Sequence, residues 1–235
     1  MKLSVIIPTL NEADNIVACL RSIRDQAVAA EIVVVDGGSS DETVRLAEPL
    51  ATVIPGPRGR ARQMNLGASH ATGDVFVFLH ADSRLHPAAL AYLDHIMRDP
   101  RVVGGTFTLW FDTDHRVLRF FAWMTHFTVG FLRYGDQGII VRRTVYDALG
   151  GFAAIPLMDD VDFLRRMWRM GETAVIPLPV TTSARRFLAR GIVRQEALNV
   201  ALVVAWMLGA QPDTLARWYY RPGRRGEAVS PPPSG

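Results

Sequence analysis

The strongest constraint in this sequence is a series of short β-branched runs, each followed by polar residues and then by a stretch with helical spacing. We predict strands at residues 3–8, 31–36, 52–54 and 75–79. Between the first two strands, apolar residues share one helical face: Ile16, Leu20, Ile23 and Ala27. Strands that alternate with helices build a largely parallel sheet with helices on both faces. The chain is therefore predicted to have an α/β fold with a mixed, mainly parallel sheet flanked by helices.

The pattern changes beyond residue 100. We predict strands at 102–111 and 138–141, and helices at 115–132, from 159 onward and at 190–208. A main domain is assigned to residues 1–190, and a C-terminal helical extension packed on it to residues 191–221. Residues 222–235 are rich in Pro, Gly, Ser and Arg, which predicts a disordered tail.

Composition excludes several classes of protein. Apolar residues make up 49% and charged residues 21% of the 235 positions, as in a folded globular protein. Cys19 is the only cysteine, so an internal disulfide is excluded. The net charge is +3 and no basic stripe is interleaved with aromatics, so no nucleic-acid partner is expected. No apolar run reaches the roughly 18–20 residues of a membrane span, and the N-terminus is not a signal peptide. We expect a cytoplasmic protein and leave a peripheral position at the membrane open.

Polar residues that directly follow the predicted strands are the first candidate site residues, since ligands of open α/β sheets bind beyond the carboxyl ends of the strands. Asp36 ends a buried run, where its carboxylate either meets a base or ribose or caps the turn 37–40; both interpretations stay open. Asp82 could hold a divalent cation that bridges two phosphates. Ser39 with Glu42 three residues later predicts a helix start through a capping box.

Three further groups carry alternative interpretations. Asp159 and Asp160 open a helix, where the dipole favours acids, yet one of the two could serve as a general base. Arg60 and Arg62 enter another helix and would suit a diphosphate, unless they form a solvated basic loop. An aromatic run predicts a helix packed in the core, with a membrane surface or a dimer face as alternatives: Phe120, Phe121, Trp123, Phe127 and Phe131.

Taken in order, the motifs resemble the inverting glycosyltransferases of family 2, which have the Rossmann-like GT-A fold. The resemblance covers roughly residues 1–190. It rests on VIIPTLNE at 5–12, VVVDGGSSD at 33–41, ATGD at 71–74 with FLHAD at 78–82, and GGF at 150–152 followed by Asp159 and Asp160.

This resemblance implies roles for individual residues. A nucleotide pocket would be lined by Pro8, Thr9, Asn11, Glu12 and Ala81. Asp36 would contact the base, uracil in this interpretation, while Arg60 and Arg62 would help to bind the diphosphate. Asp82 would hold Mn²⁺ or Mg²⁺, and Asp160 would be the catalytic base, with Asp159 as the alternative.

The chain departs from the family pattern at two positions. His80 stands where the family has the first Asp of Asp-x-Asp, which leaves open whether the metal is required. Asp159 stands where the family has Glu, which leaves the choice between 159 and 160 open. Finer motifs are similar to a small subgroup associated with arsenosugar biosynthesis or with radical-SAM and selenodomain proteins: GRARQMN at 59–65, YGDQ at 134–137 and TSARR at 182–186.

The resemblance implies transfer of a single sugar from a nucleoside diphosphate sugar, a UDP-sugar in this interpretation, to a hydroxyl of a small-molecule or lipid-linked acceptor, with inversion and help from the metal. Two other functions stay open. One is a non-catalytic protein that binds nucleotide sugars or scaffolds a membrane surface. The other is a sugar-phosphate nucleotidyltransferase, although residues 8–12 lack the Gly-rich basic loop expected there. A homodimer is also left open.

Overall fold

A single mixed sheet of eight strands forms the centre of the molecule in the computed structural model, which describes residues 1–125 and 135–219. The strands are β1 Leu3–Thr9, β2 Ala30–Asp36, β3 Thr52–Pro55, β4 Val75–Phe78, β5 Ser83–Leu85, β6 Val102–Phe111, β7 Ile139–Arg142 and β8 Glu172–Thr182. Their order across the sheet is β3-β2-β1-β4-β7-β6-β8-β5. Parallel pairing joins β3, β2, β1 and β4, and also β6 and β8; β7 and β5 run antiparallel to their neighbours. The predicted α/β fold is confirmed.

Ten helices of the described residues flank this sheet: α1 Ile16–Arg24, α2 Thr43–Ala47, α3 Arg60–His70, α4 Ala89–Ile96, α5 Arg116–Met124, α6 Arg143–Leu149, α7 Asp159–Met167, α8 Arg185–Arg190, α9 Ile192–Met207 and α10 Pro212–Tyr219. The helix predicted at 115–132 is seen as α5, and the rest of it, with Phe127 and Phe131, lies mostly outside the described residues. The predicted tail at 222–235 lies outside them too.

Both faces of the sheet are buried, which explains why its strands are continuous apolar runs rather than alternating ones. Along β1, Val5 and Ile7 pack with α1 and α4, while Ile6 packs on the opposite face with α3, α6 and α7. Gly67 allows α3 to lie close to β1, because a Cβ at this position would overlap the Ile6 side chain.

Cys19 lies on the face of the sheet that packs with α1 and α4, and it is fully buried. Its Sγ is 3.6 Å from the carbonyl oxygen of His80. Burial, with smaller effects of Asp82 and Glu12, raises the pKa of the thiol far above its ordinary value. The single thiol is therefore a neutral core group.

Two smaller apolar clusters join the C-terminal helices to the rest of the molecule. In the β6–α5–α8 cluster, Leu109 and Phe111 pack with Leu118 and Phe187. In the α7–α9–α10 cluster, Met158 and Val161 pack with Leu202, Val203 and Leu215. The helices after residue 190 thus pack against the main body; the domain boundaries themselves stay a prediction.

Candidate active site

The loops after β1 and β2 are joined into one rigid edge. Register aligns the ends of the two strands, since Thr9 pairs with Asp36. Asn11, which has a left-handed φ of 54°, donates from its backbone N–H to Ser39 Oγ at 2.8 Å, and its Oδ1 accepts from the Ser40 N–H at 2.8 Å. The predicted capping box is wrong, because α2 begins only at Thr43 and Ser39 is engaged by Asn11 instead.

Asp36 caps the turn that follows it. Its Oδ2 accepts hydrogen bonds from the N–H groups of Gly38 and Ser39, both at 2.9 Å, and the residue is 7% exposed. The geometry therefore supports the interpretation that Asp36 caps the turn. Contact with a base stays a prediction.

The side chain of Thr9 is directed into the interior of the protein. It is buried, and its hydroxyl donates to the Val35 carbonyl at 3.1 Å. Gln63 of α3 donates from Nε2 to the carbonyls of Thr9 and Val35, at 2.8 and 2.9 Å. This buried amide, which sequence reasoning missed, fixes the start of α3 against the ends of β1 and β2.

Asp82 belongs to a cluster with Glu12 and Arg185. The Nη2 of Arg185 contacts Glu12 Oε1 and lies 3.8 Å from Asp82 Oδ2. Both acidic side chains are 16% exposed. One guanidinium therefore bridges the predicted nucleotide residue and the predicted metal residue.

A second cluster joins Arg60 of α3 to Asp159 and Asp160 of α7. Arg60 Nε donates to Asp159 Oδ2 at 3.1 Å and its Nη2 to Asp159 Oδ1, while Nη2 is 3.3 Å from Asp160 Oδ1. Met158 precedes the pair with a left-handed φ of 68°, uncommon for a residue other than glycine. Asp162 and Arg166 of the same helix form an i,i+4 ion pair at 2.8 Å.

Burial and neighbouring charges act in opposite directions in this second cluster. Burial raises the pKa of the Asp159 carboxyl above its ordinary value, although the charge of Arg60 opposes that shift. Burial alone would lower the pKa of Arg60, yet Asp159, Asp160 and Asp136 together raise it well above its ordinary value. Arg60 is thus a permanent cation facing acidic neighbours.

Asp136 connects the two clusters. It lies in a short turn of 3-10 helix, Gly135–Gln137, and its Oδ1 is 3.3 Å from His80 Nδ1. Its charge also acts on Arg60. Asp136 thus contacts His80, two residues before Asp82, and acts electrostatically on Arg60 of the second cluster.

Asp160 and Asp159 differ in what they face. Asp160 lines a cavity of about 320 Å³ together with Arg60 and Asp136, whereas Asp159 is held by Arg60 outside the lining. Asp36 and Asp82 do not line it either. Arg62 is exposed at the start of α3, and Ala81 is buried just before Asp82.

The donor set around Asp82 fits a cation that arrives with a diphosphate. In residues 1–125 and 135–219, no three His, Cys, Asp or Glu side chains form a metal-binding group. Mg²⁺ at phosphate sites commonly takes one or two carboxylates and fills its other positions with phosphate oxygens and water. Asp82 suffices for that role, but not for a resident metal held by protein alone.

The sequence of this chain matches a known protein family. A family model described as "Glycosyl transferase family 2" matches residues 4–154, well over half of the chain. The chain therefore belongs to glycosyltransferase family 2.

Particular relatives share part of their length with this chain. The "Uncharacterized protein MT1568" of Mycobacterium tuberculosis is 40% identical over 110 residues, 43% of this chain and 34% of that protein. A "PGL/p-HBAD biosynthesis glycosyltransferase" of Mycobacterium bovis is 38% identical over 133 residues, 45% of this chain and 52% of that protein. The matched region thus spans about half or less of these curated relatives.

Solved structures share the fold. The mannosyltransferase PcManGT from Pyrobaculum calidifontis, in complex with GDP-Man and Mn²⁺, superimposes with a TM-score of 0.70 at 24% identity, covering 94% of this chain and 70% of that one. Glucosyl-3-phosphoglycerate synthase from Mycobacterium tuberculosis, with Mn²⁺, UDP and glucosyl-3-phosphoglycerate, gives 0.60 at 17%, covering 88% and 78%. These likenesses establish the GT-A fold.

None of the helices described here has the length and apolar character needed to cross a bilayer.

Proposed function

We propose that this chain transfers one sugar from a nucleoside diphosphate sugar to an acceptor hydroxyl, with inversion. The observation that carries the proposal is the position of Asp160, a carboxylate that lines the cavity beside Arg60 at the end of a family 2 sheet. A general base must lie within reach of the proton that it removes, and an acceptor in this cavity meets that condition for Asp160. Asp159 is the weaker candidate because Arg60 engages both of its oxygens.

The donor is assigned to the loops after β1, β2 and β4. Pro8, Asn11, Glu12 and Ala81 border the nucleotide in this proposal, with Asp36 next to the base. Thr9 would contribute through its backbone, since its hydroxyl is used by Val35. A UDP-sugar is the proposed donor; the UDP and GDP-sugar complexes of the structural neighbours support the nucleoside diphosphate class.

Asp82 is proposed to hold Mn²⁺ or Mg²⁺ jointly with the diphosphate. A divalent cation there would neutralise charge that builds on the leaving group. Arg60, already a fixed cation, and Arg62 would add to that stabilisation from the start of α3. Arg185, which faces both Glu12 and Asp82, would keep the two carboxylates close before the donor binds.

The transfer step uses Asp160 as the base. The acceptor oxygen attacks the anomeric carbon from the face opposite the diphosphate and passes its proton to Asp160. The bond between the anomeric carbon and the diphosphate oxygen breaks, and the nucleoside diphosphate leaves with the electron pair. Attack from the opposite face inverts the anomeric configuration.

Subgroup, location and assembly are also part of this proposal. Residues of the subgroup motifs, Arg60, Asp136 and Arg185, all lie in the site, which supports placement in the arsenosugar and selenodomain subgroup. Peripheral membrane contact is supported by Phe120 and Trp123 of α5, each 54% exposed, while a cytoplasmic location stays a prediction. The homodimer stays a prediction without a structural observation behind it.

The proposal is tested by nucleotide release from UDP- and GDP-sugars with Mn²⁺ and an acceptor pool. Asp160→Asn should lower kcat by about 10²–10⁴-fold, the usual contribution of a positioned base, and leave the donor Kd unchanged. Asp162→Asn is the matched control, since Asp162 lies in the same helix but pairs with Arg166. Unchanged turnover in Asp160→Asn would contradict the mechanism.

Two other results would favour the alternatives. Tight nucleotide-sugar binding without turnover under any acceptor indicates a non-catalytic binding protein. Pyrophosphate release from UTP and a sugar phosphate indicates a nucleotidyltransferase.

A further inference from the structure

The cavity beside Asp160 lies between two apolar clusters that do not fill the space between them. Leu109 and Phe111 of the β6–α5–α8 cluster form one side. Met158, Leu202 and Val203 of the α7–α9–α10 cluster form the other. Its volume of about 320 Å³ is at the small end of the range of roughly 300–1,000 Å³ for small-molecule sites.

Besides Thr125, Gln137, Arg186 and Tyr219, two sets of polar groups line the cavity. Arg60, Asp136 and Asp160 belong to the site described above. The other set lies on α9, where Gln195 Nε2 donates to Asn199 Oδ1 at 2.8 Å and Glu196 Oε2 accepts from Asn199 at 3.4 Å. Three acidic side chains, Asp136, Asp160 and Glu196, thus line the cavity with two arginines, Arg60 and Arg186, and Arg60 is already engaged by Asp159 and Asp160. This balance disfavours an anionic ligand.

The cavity also reaches the surface through apolar side chains. Val200 of α9 lines it and is 43% exposed. Phe121 of α5 lines it as well, and its neighbours Phe120 and Trp123 are each 54% exposed. Apolar side chains thus border the cavity on the α5 side and at its exposed edge on α9.

We propose that this cavity is the acceptor site and that the acceptor is an uncharged alcohol with an apolar body. Its hydroxyl meets Asp160, and its apolar part contacts Leu109, Phe111 and Val203. The inference rests on the proposed function and names the substrate class of that same site. The bonds made and broken are those of the transfer step above: the acceptor oxygen bonds the anomeric carbon, Asp160 takes the proton and the diphosphate leaves with its electron pair.

The first test compares acceptors of graded polarity with the donor sugar held constant. Linear alcohols from butanol to octanol and 4-alkylphenols are compared with glycerol, glucose and 3-phosphoglycerate. We expect kcat/KM to rise up to about fourfold per added methylene until the cavity is filled, as burial of each methylene predicts. A polar or phosphorylated acceptor that is used as well as octanol would overturn the inference while leaving the sugar transfer established.

The second test changes the cavity without changing the donor loops. Val200→Trp should raise the KM for octanol about tenfold. Val204→Trp is the matched control, because Val204 is 48% exposed on the same helix and is absent from the lining. An unchanged KM in Val200→Trp refutes the assignment of the cavity.

Binding measurements separate failure of this inference from failure of the proposed function. Calorimetry with 4-propylphenol and UDP should show binding that Val200→Trp weakens about tenfold. Binding without any sugar transfer would support the cavity as a site for apolar alcohols and would refute the proposed transferase. Sugar transfer without such binding would support the transferase and would refute the assignment of the cavity. Octanol free in solution and a long-chain alcohol in phosphatidylcholine vesicles are assayed in parallel, to identify the source of the alcohol.

Discussion

Replacing Arg60 with methionine is expected to destabilise the protein by removing the cation that faces two acidic side chains of low exposure. The side chains of Asp159 and Asp160 are only 4% and 11% exposed, whereas that of Arg60 is 32% exposed. Removing one partner of a buried ion pair costs about 3–5 kcal/mol, because the remaining charge is left uncompensated. Since water reaches Arg60, we place the loss in the free energy of unfolding at about 3 kcal/mol, the lower end of that range.

The loss should depend on pH with a definite sign. The pKa of Asp159 is already raised by burial, and Arg60 limits that rise. Without Arg60, the folded variant takes up a proton at a pH where the unfolded chain stays ionised. Acidification from pH 8 to pH 5 therefore stabilises the folded variant relative to the unfolded one, and its deficit against the wild type shrinks.

Urea unfolding at several pH values measures both effects. A loss of 3 kcal/mol corresponds to a fall in Tm of about 6–12 °C for a chain of this size. Arg98→Met is the control, because Arg98 is 74% exposed and its pair with Asp94 should be worth at most about 1 kcal/mol. Equal losses in the two variants, or a deficit for Arg60→Met that does not shrink at pH 5, would refute this account.

Variants at three further positions test other parts of the structure. Gly67→Ala should cost about 1–3 kcal/mol in urea unfolding, because the added Cβ overlaps Ile6 and lies 3.0 Å from Val35 Cγ2. Asp36→Ala should cost about 1–3 kcal/mol by leaving two turn N–H groups without their acceptor, and Asp36→Asn should cost less. Asp82→Asn should weaken donor binding in Mn²⁺ by about tenfold or more, and should leave metal-free binding of the nucleoside nearly unchanged, as calorimetry can show.

For each of these variants, one outcome would contradict the prediction. Wild-type stability of Gly67→Ala would mean that α3 can move away from β1 at no cost. Equal losses for the Ala and Asn variants of Asp36 would show that its carboxylate is not the cap of the turn. Donor binding by Asp82→Asn that still responds fully to Mn²⁺ would place the cation elsewhere.

The central strands could be predicted because they are buried on both faces. Their sequences are unbroken β-branched runs, so predictions for β1 and β2 differ from the structure by a single residue at one end. β8 was missed because it contains Pro177 and Pro179, which argue against a strand. The structure tolerates them at an irregularity, where Phe107 pairs with Ile176 and the next residue, Thr108, pairs with Pro179.

The site could be predicted only where its residues end or closely follow strands or begin helices. Asp36 ends β2, Asp82 follows β4 by four residues and Asp160 lies in the first turn of α7, so their local context indicates a polar role. Arg185 could not be placed, because its contact with Glu12 spans 173 positions and leaves no spacing pattern. Asp136 was likewise visible only as part of a motif, since its link to His80 comes from the folding of the chain.

The buried thiol of Cys19 makes this chain convenient for labelling experiments. A thiol that is excluded from solvent and whose pKa is far above neutrality does not react with maleimides in the folded protein. One cysteine introduced on the exposed side of α9, for example at Val204, would then be the sole reactive position. A fluorophore attached there would report occupancy of the neighbouring cavity without any need to remove the native residue.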